Sequence, residues 1–157
     1  VFFHPFLFSR PIYFSRNLYV NLHLRCDRKK RGRTYNFEYI MYYVIKRMEI
    51  SASHRLDLSY QSKCTNAHGH NWIITVHCAA TQLNADGMVC DFKHIKDMIH
   101  GALDHRHLND VLPVNPTAEN IARWVVDRIP ECYKAVVQES EGNTAIYVDD
   151  SFDTTMP

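Results

Sequence analysis

The sequence lacks the features that would mark a membrane protein or a disulfide-stabilised secreted domain. None of its apolar stretches reaches the roughly 18 residues that a membrane-spanning helix needs, so we predict no transmembrane segment. Its 5 cysteines are odd in number, widely spaced and without a CxxC pair, which is typical of free thiols in a reducing compartment. The sequence therefore predicts a cytoplasmic protein that folds without disulfides.

Acidic residues are nearly missing from the start of the chain, and clustered basic residues are missing from the rest. Residues 1–37 hold eight Lys or Arg side chains and one acid, Asp27, which leaves 10 basic and 16 acidic side chains in the remainder. Proteins that bind nucleic acid present clustered Lys and Arg to the phosphates. We therefore predict no nucleic-acid partner, and the 46% hydrophobic share indicates an ordinary globular domain.

Residues 1–40 also lack a lasting helical or strand period. Aromatic and Arg side chains alternate irregularly there, and Pro5 and Pro11 interrupt the segment. An Arg-rich, acid-poor leader is typical of an organellar transit segment, but we favour an over-extended start, with Met41 as the natural first residue. We therefore divide the chain into an irregular leader, 1–40, and a single domain, 41–157.

From residue 41 onward the hydrophobic pattern predicts the order β-β-α-α-β-β. Period-two alternation predicts four strands, and helical spacing predicts two helices between the second and third strands. The predicted strands are Tyr42–Ala52, His68–Ala79, Lys134–Ser140 and Thr144–Val148; the predicted helices follow the N-caps Asp91 and Thr117. An α+β fold, with an antiparallel sheet and both helices on one face, is the natural packing of these elements.

Two histidines stand two positions apart on the predicted second strand. Side chains at i and i+2 face the same side of a strand, so His68 and His70 would project together, while Gly69 would allow close approach of another backbone. His54 ends the preceding strand, which would pair antiparallel with this one. An isolated His-x-His pair more often reflects packing. Three imidazoles, however, are a ligand set of catalytic zinc with an open fourth position.

Cys64 lies four residues before His68 in a predicted loop. A thiol beside a metal can act as a base or a nucleophile. If the thiol were instead a fourth zinc ligand, it would close the site and leave no place for substrate. The sequence leaves both roles open for this residue.

Three acidic or basic residues are weaker candidates. Asp104 and His105 are adjacent at a predicted helix end, where such a pair can relay protons, although exposed Asp–His pairs are common. Glu139 lies near the end of the third predicted strand. A carboxylate in a pocket can bind a guanidine-like edge through paired hydrogen bonds, but in the sequence alone Glu139 is an ordinary strand-end acid.

Taken in order, these motifs resemble the 6-pyruvoyl-tetrahydropterin synthase family, which includes the bacterial 6-carboxytetrahydropterin synthase (QueD) type. Each motif is weak alone, but their order from about residue 44 to residue 148 is specific, and residues 1–40 have no counterpart. The matching segments are Ser53-His54-Arg55-Leu56, Cys64-x3-His68-Gly69-His70, Gly87-Met88-Val89-x-Asp91-Phe92, Leu103-Asp104-His105-x-x-Leu108-Asn109, Asn115-Pro116-Thr117-Ala118-Glu119-Asn120 and Glu139-Ser140.

The resemblance implies a role for each candidate residue. The three histidines would hold Zn²⁺, and Cys64 would abstract protons with Asp104 and His105 as relay partners. Glu139 would bind the 2-amino and N3 edge of a pterin, and Thr117 would also contact it. The family's tunnelling fold implies a homohexamer, a dimer of trimers, with active sites between subunits.

The three-residue gap between Cys64 and His68 resembles the carboxy-forming members of this family. It therefore implies conversion of 7,8-dihydroneopterin triphosphate to 6-carboxy-5,6,7,8-tetrahydropterin, with release of acetaldehyde and triphosphate, in queuosine (7-deazapurine) biosynthesis. Three alternatives stay open: a pyruvoyl-forming synthase, a non-catalytic zinc-binding interaction module, and a zinc hydrolase that uses metal-bound water.

Overall fold

The computed structural model of the protein describes residues 41–149, so the leader predicted over residues 1–40 lies outside the described residues. Within that range the predicted order of elements is confirmed. The strands and helices are β1 (Tyr42–His54), β2 (His68–Ala80), α1 (Phe92–Leu103), α2 (Ala118–Arg128), β3 (Cys132–Ser140) and β4 (Asn143–Val148). Short 3₁₀ turns at Lys63–Thr65 and Leu108–Asp110 lie in the connections that surround the candidate site.

The four strands form one antiparallel sheet in the order β1-β2-β3-β4. Alternate side chains of each strand lie on the same face, and on one face they are apolar and covered by the helices. Each fully buried Ile or Leu of this layer stabilises the fold by about 1.5–3 kcal/mol. The largest buried apolar side chains are Ile50, Trp72, Ile74, Ile95, Ile99, Leu103, Leu108 and Ile121.

Both helices begin where the sequence predicts. The side chain of Asp91 accepts a hydrogen bond from the backbone N–H of Lys93 at the start of α1, and the side chain of Thr117 accepts one from Asn120 at the start of α2. These caps satisfy N–H groups that have no partner inside a helix. Neither α1 nor α2 is long and apolar enough to span a membrane.

The strands extend further than the hydrophobic alternation indicates. β1 continues through Ser53 to His54, because its last residue pairs with His68 at the start of β2. β3 begins at Cys132, which pairs with Cys78 across an irregularity in the register. The added residues are polar or half-buried, so they carry no alternating signal, and cross-strand pairing alone extends the strands.

Candidate metal centre and active site

Three imidazoles meet at the end of the β1–β2 ladder. In the register of these two strands His54 lies opposite His68. Ala52, two residues before His54 and on the same face of β1, lies opposite His70. All three rings therefore lie on the face that carries the core, as the i, i+2 spacing predicts. Their ligating nitrogens lie within 4.8 Å of one another, and this is the only such group of His, Cys, Asp or Glu side chains in residues 41–149.

Hydrogen bonds at the Nδ1 atoms of His54 and His68 determine the direction and protonation of their Nε2 atoms. His54 Nδ1 lies 2.8 Å from the carbonyl oxygen of Pro116, and His68 Nδ1 lies 2.8 Å from the carbonyl oxygen of Asn66. A carbonyl only accepts hydrogen bonds, so each Nδ1 carries the hydrogen and each Nε2 is left as an acceptor. Both Nε2 atoms therefore offer a lone pair to the space between the rings.

These lone pairs lack a donor among the described residues. His54 Nε2 and His68 Nε2 are 3.1 Å apart, yet two acceptors cannot hydrogen-bond to each other. His70 Nε2 is buried and has no hydrogen-bond partner in the described part of the chain. Two nitrogens bound to one tetrahedral zinc ion at about 2.0–2.1 Å lie about 3.4 Å apart, so the donor set and its spacing fit a metal ion.

Burial favours the ligand form of His54. Its side chain is fully buried, and its ring packs edge-on against Trp72 with centroids 4.9 Å apart. This burial lowers the pKa of His54, and the hydrogen bond to Pro116 opposes the shift only in part. A neutral imidazole is the form that binds a metal, so the environment prepares this residue for that role.

Glu139 lies beside the three histidines. Its Oε1 is 3.5 Å from His54 Nε2 and 3.8 Å from His70 Nε2, and its side chain is 26% exposed. The sequence alone indicated only a strand-end acid, whereas the sheet register brings this carboxylate to the cluster. A partly exposed carboxylate at this place can accept hydrogen bonds from a bound molecule.

Cys64 lies in the 3₁₀ turn between β1 and β2. The backbone N–H of Leu56 donates to the Cys64 carbonyl (2.8 Å), and the Cys64 N–H donates to Ser62 Oγ (3.2 Å). These bonds hold the turn, while within residues 41–149 the half-buried thiol makes no hydrogen bond. The sulfur is not part of the three-histidine group, so the chain's own ligands leave room for a further one.

Asp104 and His105 are in contact directly after α1. Asp104 Oδ1 accepts a hydrogen bond from the Ser51 N–H (2.9 Å), and Oδ2 lies 3.0 Å from His105 Nδ1. The Ser51 bond holds the pKa of Asp104 below its usual value. His105 adopts a left-handed backbone with φ of 56°, which is uncommon outside glycine. No hydrogen bond or ion pair among the described residues joins this pair to Cys64.

An open groove lies where the end of β1 and the start of β2 meet segment 105–107. Its volume is about 680 Å³, within the range of small-molecule sites. It is lined by Ser51, Ala52, Ser53, Gly69, His70, Asn71, His105, Arg106 and His107.

A Cβ atom at Gly69 would lie 3.6 Å from the Ala52 carbonyl oxygen, an ordinary contact, so the prediction that Gly69 allows close backbone approach is wrong for this chain's own backbone.

The residues that support the histidine cluster are not evident from the sequence alone. The Pro116 carbonyl and the side chains of Asn109 and Asn115 belong to motifs that carried the family resemblance, but nothing in the motifs indicated their partners. Thr117, predicted to contact a pterin, has its hydroxyl engaged as the cap of α2.

Comparison with known proteins matches this chain to one family. The 6-pyruvoyl tetrahydropterin synthase family profile matches residues 43–150. The 6-carboxy-5,6,7,8-tetrahydropterin synthase of Bacillus subtilis is 27% identical over 119 residues, covering 65% of this chain and 82% of that protein. The human 6-pyruvoyl tetrahydrobiopterin synthase is 32% identical over 131 residues, covering 66% and 89%.

A solved structure agrees with the fold. The 6-pyruvoyl tetrahydropterin synthase of Caenorhabditis elegans superposes with a TM-score of 0.57 at 24% identity, covering 72% of this chain and 99% of that one. At this identity the likeness concerns the fold, which is the tunnelling fold that the resemblance implied.

Proposed function

Because the chain belongs to the 6-pyruvoyl tetrahydropterin synthase family, we propose that it is a tetrahydropterin synthase of the carboxy-forming type. It would convert 7,8-dihydroneopterin triphosphate and water to 6-carboxy-5,6,7,8-tetrahydropterin, acetaldehyde and triphosphate, in queuosine biosynthesis. The observation that carries the proposal is the convergence of three imidazole lone pairs, within 4.8 Å of one another, beside the carboxylate of Glu139.

We propose that His54, His68 and His70 hold a zinc ion. When bound, zinc would polarise oxygen atoms of the substrate's side chain and so acidify the neighbouring carbon–hydrogen bonds. The chain keeps the ligating nitrogens unprotonated by committing the opposite nitrogens of His54 and His68 to carbonyl groups. Three protein ligands, rather than the four of a structural zinc site, favour a catalytic role.

In this proposal Cys64 is the base that removes a proton from the substrate's side chain. Asp104 orients His105 by accepting its Nδ1–H at 3.0 Å, and His105 returns or removes the second proton. Since nothing among the described residues joins this pair to the thiol, we propose that a second copy of the chain brings the pair to Cys64. Such an arrangement agrees with a homo-oligomer, a dimer of trimers, as the resemblance implied.

Glu139 is proposed to recognise the pterin. Its carboxylate would accept hydrogen bonds from the 2-amino group and from N3, a paired arrangement that a carboxylate matches well. Its half-open position beside His54 and His70 would hold the ring while the side chain of the substrate reaches the metal. Thr117 would contact the same ring system.

Incubation of the purified zinc protein with 7,8-dihydroneopterin triphosphate tests the reaction. We expect 6-carboxytetrahydropterin and acetaldehyde, identified by mass. A pyruvoyl product without acetaldehyde would instead show the pyruvoyl-forming activity, which the human relative's name favours and the Cys64-x3-His68 spacing opposes. Zinc binding without any conversion would support the non-catalytic module, and full activity of Cys64→Ala would support a hydrolase.

A mixing experiment tests the shared site. Variants Cys64→Ala and His105→Ala should each be inactive alone. If each site takes its thiol from one subunit and its histidine from another, random mixed oligomers of the two variants should recover about a quarter of the wild-type activity. No recovery after verified subunit exchange would contradict a site shared between copies.

A further inference from the structure

The outer edge of β1 is covered, at its His54 end, by the chain that connects α1 to α2. β1 is an edge strand, and alternate residues of such a strand direct their N–H and C=O groups to the open side. Backbone hydrogen bonds of 2.7 and 3.0 Å join Ser51 and Ser53 to segment 105–107 on this side. The next residues whose backbone faces the same way are Arg55 and Asp57, which lie beyond the end of β1.

Arg55 and Asp57 pair with two side-chain amides instead of a backbone. The Arg55 N–H donates to Asn109 Oδ1, and Asn109 Nδ2 donates to the Arg55 carbonyl, both at 2.9 Å. The same two bonds, both at 3.0 Å, join Asp57 to Asn115. A side-chain amide presents one donor and one acceptor side by side, as a strand residue does. We call Asn109 and Asn115 the asparagine clamp.

The clamp acts on both ends of one hydrogen bond at the metal centre. His54 is bonded to the next residue, Arg55, whose backbone Asn109 holds. The Nδ1–H of His54 donates to the carbonyl of Pro116 at 2.8 Å, and Pro116 directly follows Asn115. The clamp therefore sets both the donor and the acceptor of the bond that directs His54 Nε2 toward the other histidines.

Asn115 is in turn anchored to α2. Its carbonyl oxygen accepts hydrogen bonds from the Thr117 N–H and from Asn120 Nδ2, each at 2.8 Å. α2 packs over β3 and β4, so the position of the Pro116 carbonyl is tied to the buried core rather than to a free loop.

We propose that Asn109 and Asn115 are positioning residues of the metal centre, which hold His54 in its ligating orientation without contacting the metal. The inference rests on the proposed function only in taking a metal at the three histidines, not in the reaction. Partners that orient a ligating histidine typically account for about 10- to 100-fold in metal affinity. Asn115, which acts on both Asp57 and the Pro116 segment, should have the larger effect.

Zinc affinity in competition with a chelator tests the clamp. Asn115→Ala should bind zinc about 10- to 100-fold more weakly than the wild type, and Asn109→Ala should also bind more weakly. The matched control is Asn84→Ala, because Asn84 Oδ1 also accepts two backbone hydrogen bonds, both at 3.0 Å, in a turn away from the site. Equal zinc affinity of Asn115→Ala and Asn84→Ala would overturn the proposal.

Two further measurements separate positioning from general stability. In the metal-free wild type, ¹⁵N NMR should show His54 protonated at Nδ1 alone, whereas Asn115→Ala should show a mixture of tautomers. If Asn115→Ala does not fold, Asn115→Asp replaces it, because it keeps the acceptor for Asp57 and loses only the donor. An unchanged single tautomer together with unchanged zinc affinity in that variant would equally overturn the proposal.

Zinc binding and pterin conversion by the wild type, measured together, separate the proposed clamp from the proposed function. A wild-type protein that binds no zinc overturns both the metal centre and its clamp. A wild type that binds zinc but converts no pterin overturns the proposed function and leaves the clamp supported by the affinity differences.

Altered Co²⁺ absorption in Asn115→Ala, with unaltered absorption in Asn84→Ala, is expected if the clamp orients His54.

Discussion

Replacement of His70 by alanine should have little effect on the metal-free protein and a large effect in zinc. The His70 side chain is 21% exposed, and its Nε2 is buried without a hydrogen-bond partner in the described residues. A side chain kept for packing would stabilise the fold under both conditions. A side chain kept as a ligand would stabilise it only when the metal is present.

The expected magnitude in chelator follows from two opposing contributions. The His70 ring meets the rings of His54, His68 and Trp72 edge-on, with centroids 5.2, 4.9 and 5.2 Å apart, and loss of an aromatic pair costs about 0.5–1.5 kcal/mol. Removal of a buried unpartnered nitrogen returns about 1–3 kcal/mol. Three lost pairs together cost about 1.5–4.5 kcal/mol, so the central values leave the free energy of unfolding of His70→Ala about 1 kcal/mol below that of the wild type.

In zinc the wild type gains stability that the variant lacks. A ligand that binds only the folded state at 100 times its Kd adds about 2.7 kcal/mol to the free energy of unfolding. For a domain of this size that corresponds to a rise of roughly 10 °C in Tm. The gap between wild type and His70→Ala should open by this amount when chelator is replaced by zinc.

Thermal unfolding with chelator and with excess zinc measures the gap. The control is His77→Ala, because His77 also lies on β2 but its ring contacts Tyr133, with centroids 6.2 Å apart, rather than the cluster. This control should keep the full zinc response. If His70→Ala lowers Tm equally with chelator and with zinc, His70 is a packing residue and the reasoning is refuted.

Three further predictions concern the proposed catalytic residues. Cys64→Ser should keep zinc affinity, since the sulfur lies outside the histidine group. Its rate of product formation should fall at least about 100-fold, and a loss of zinc binding in this variant would contradict the prediction. Because the Ser51 N–H holds the pKa of Asp104 below its usual value, the stability that the carboxylate adds is complete above its unfolded pKa, near 4, and is lost as pH falls through the lower folded value. Urea unfolding should therefore show Asp104→Asn about 1 kcal/mol less stable at pH 7 and the difference shrinking below pH 4; a constant difference would refute it. Glu139→Gln should raise KM for the pterin with little change in zinc affinity, whereas a loss of about tenfold or more in zinc affinity would show that Glu139 supports the metal centre and would contradict a role confined to the pterin.

Local sequence patterns were sufficient to predict the elements of the fold. Period-two alternation located the strands, helical spacing located α1 and α2, and Asp91 and Thr117 cap those helices as predicted. These signals are carried by residues within about one helical turn or a few strand positions of each other. The ends of β1 and β3 were less predictable, since cross-strand pairing extends them through residues with no alternation.

The candidate site was likewise predictable only where it depends on residues close together in the chain. The His68-Gly69-His70 spacing predicted two imidazoles on one side of a strand, and the structure confirms that they share a face with His54. The place of Glu139 beside them depends on the register between β2 and β3, for which the sequence carries no local signal.

By itself, the sequence determined the element order, the helix caps and the common direction of His68 and His70, because each depends on neighbours along the chain. Only the tertiary structure decided which nitrogen of His54 faces the cluster, and that Asn109 and Asn115 hold the chain beside it. Those contacts join residues 54 to 62 positions apart. They exist only because the connection from α1 to α2 runs beside the end of the open edge of β1, and contacts between residues so far apart in the chain leave no local pattern.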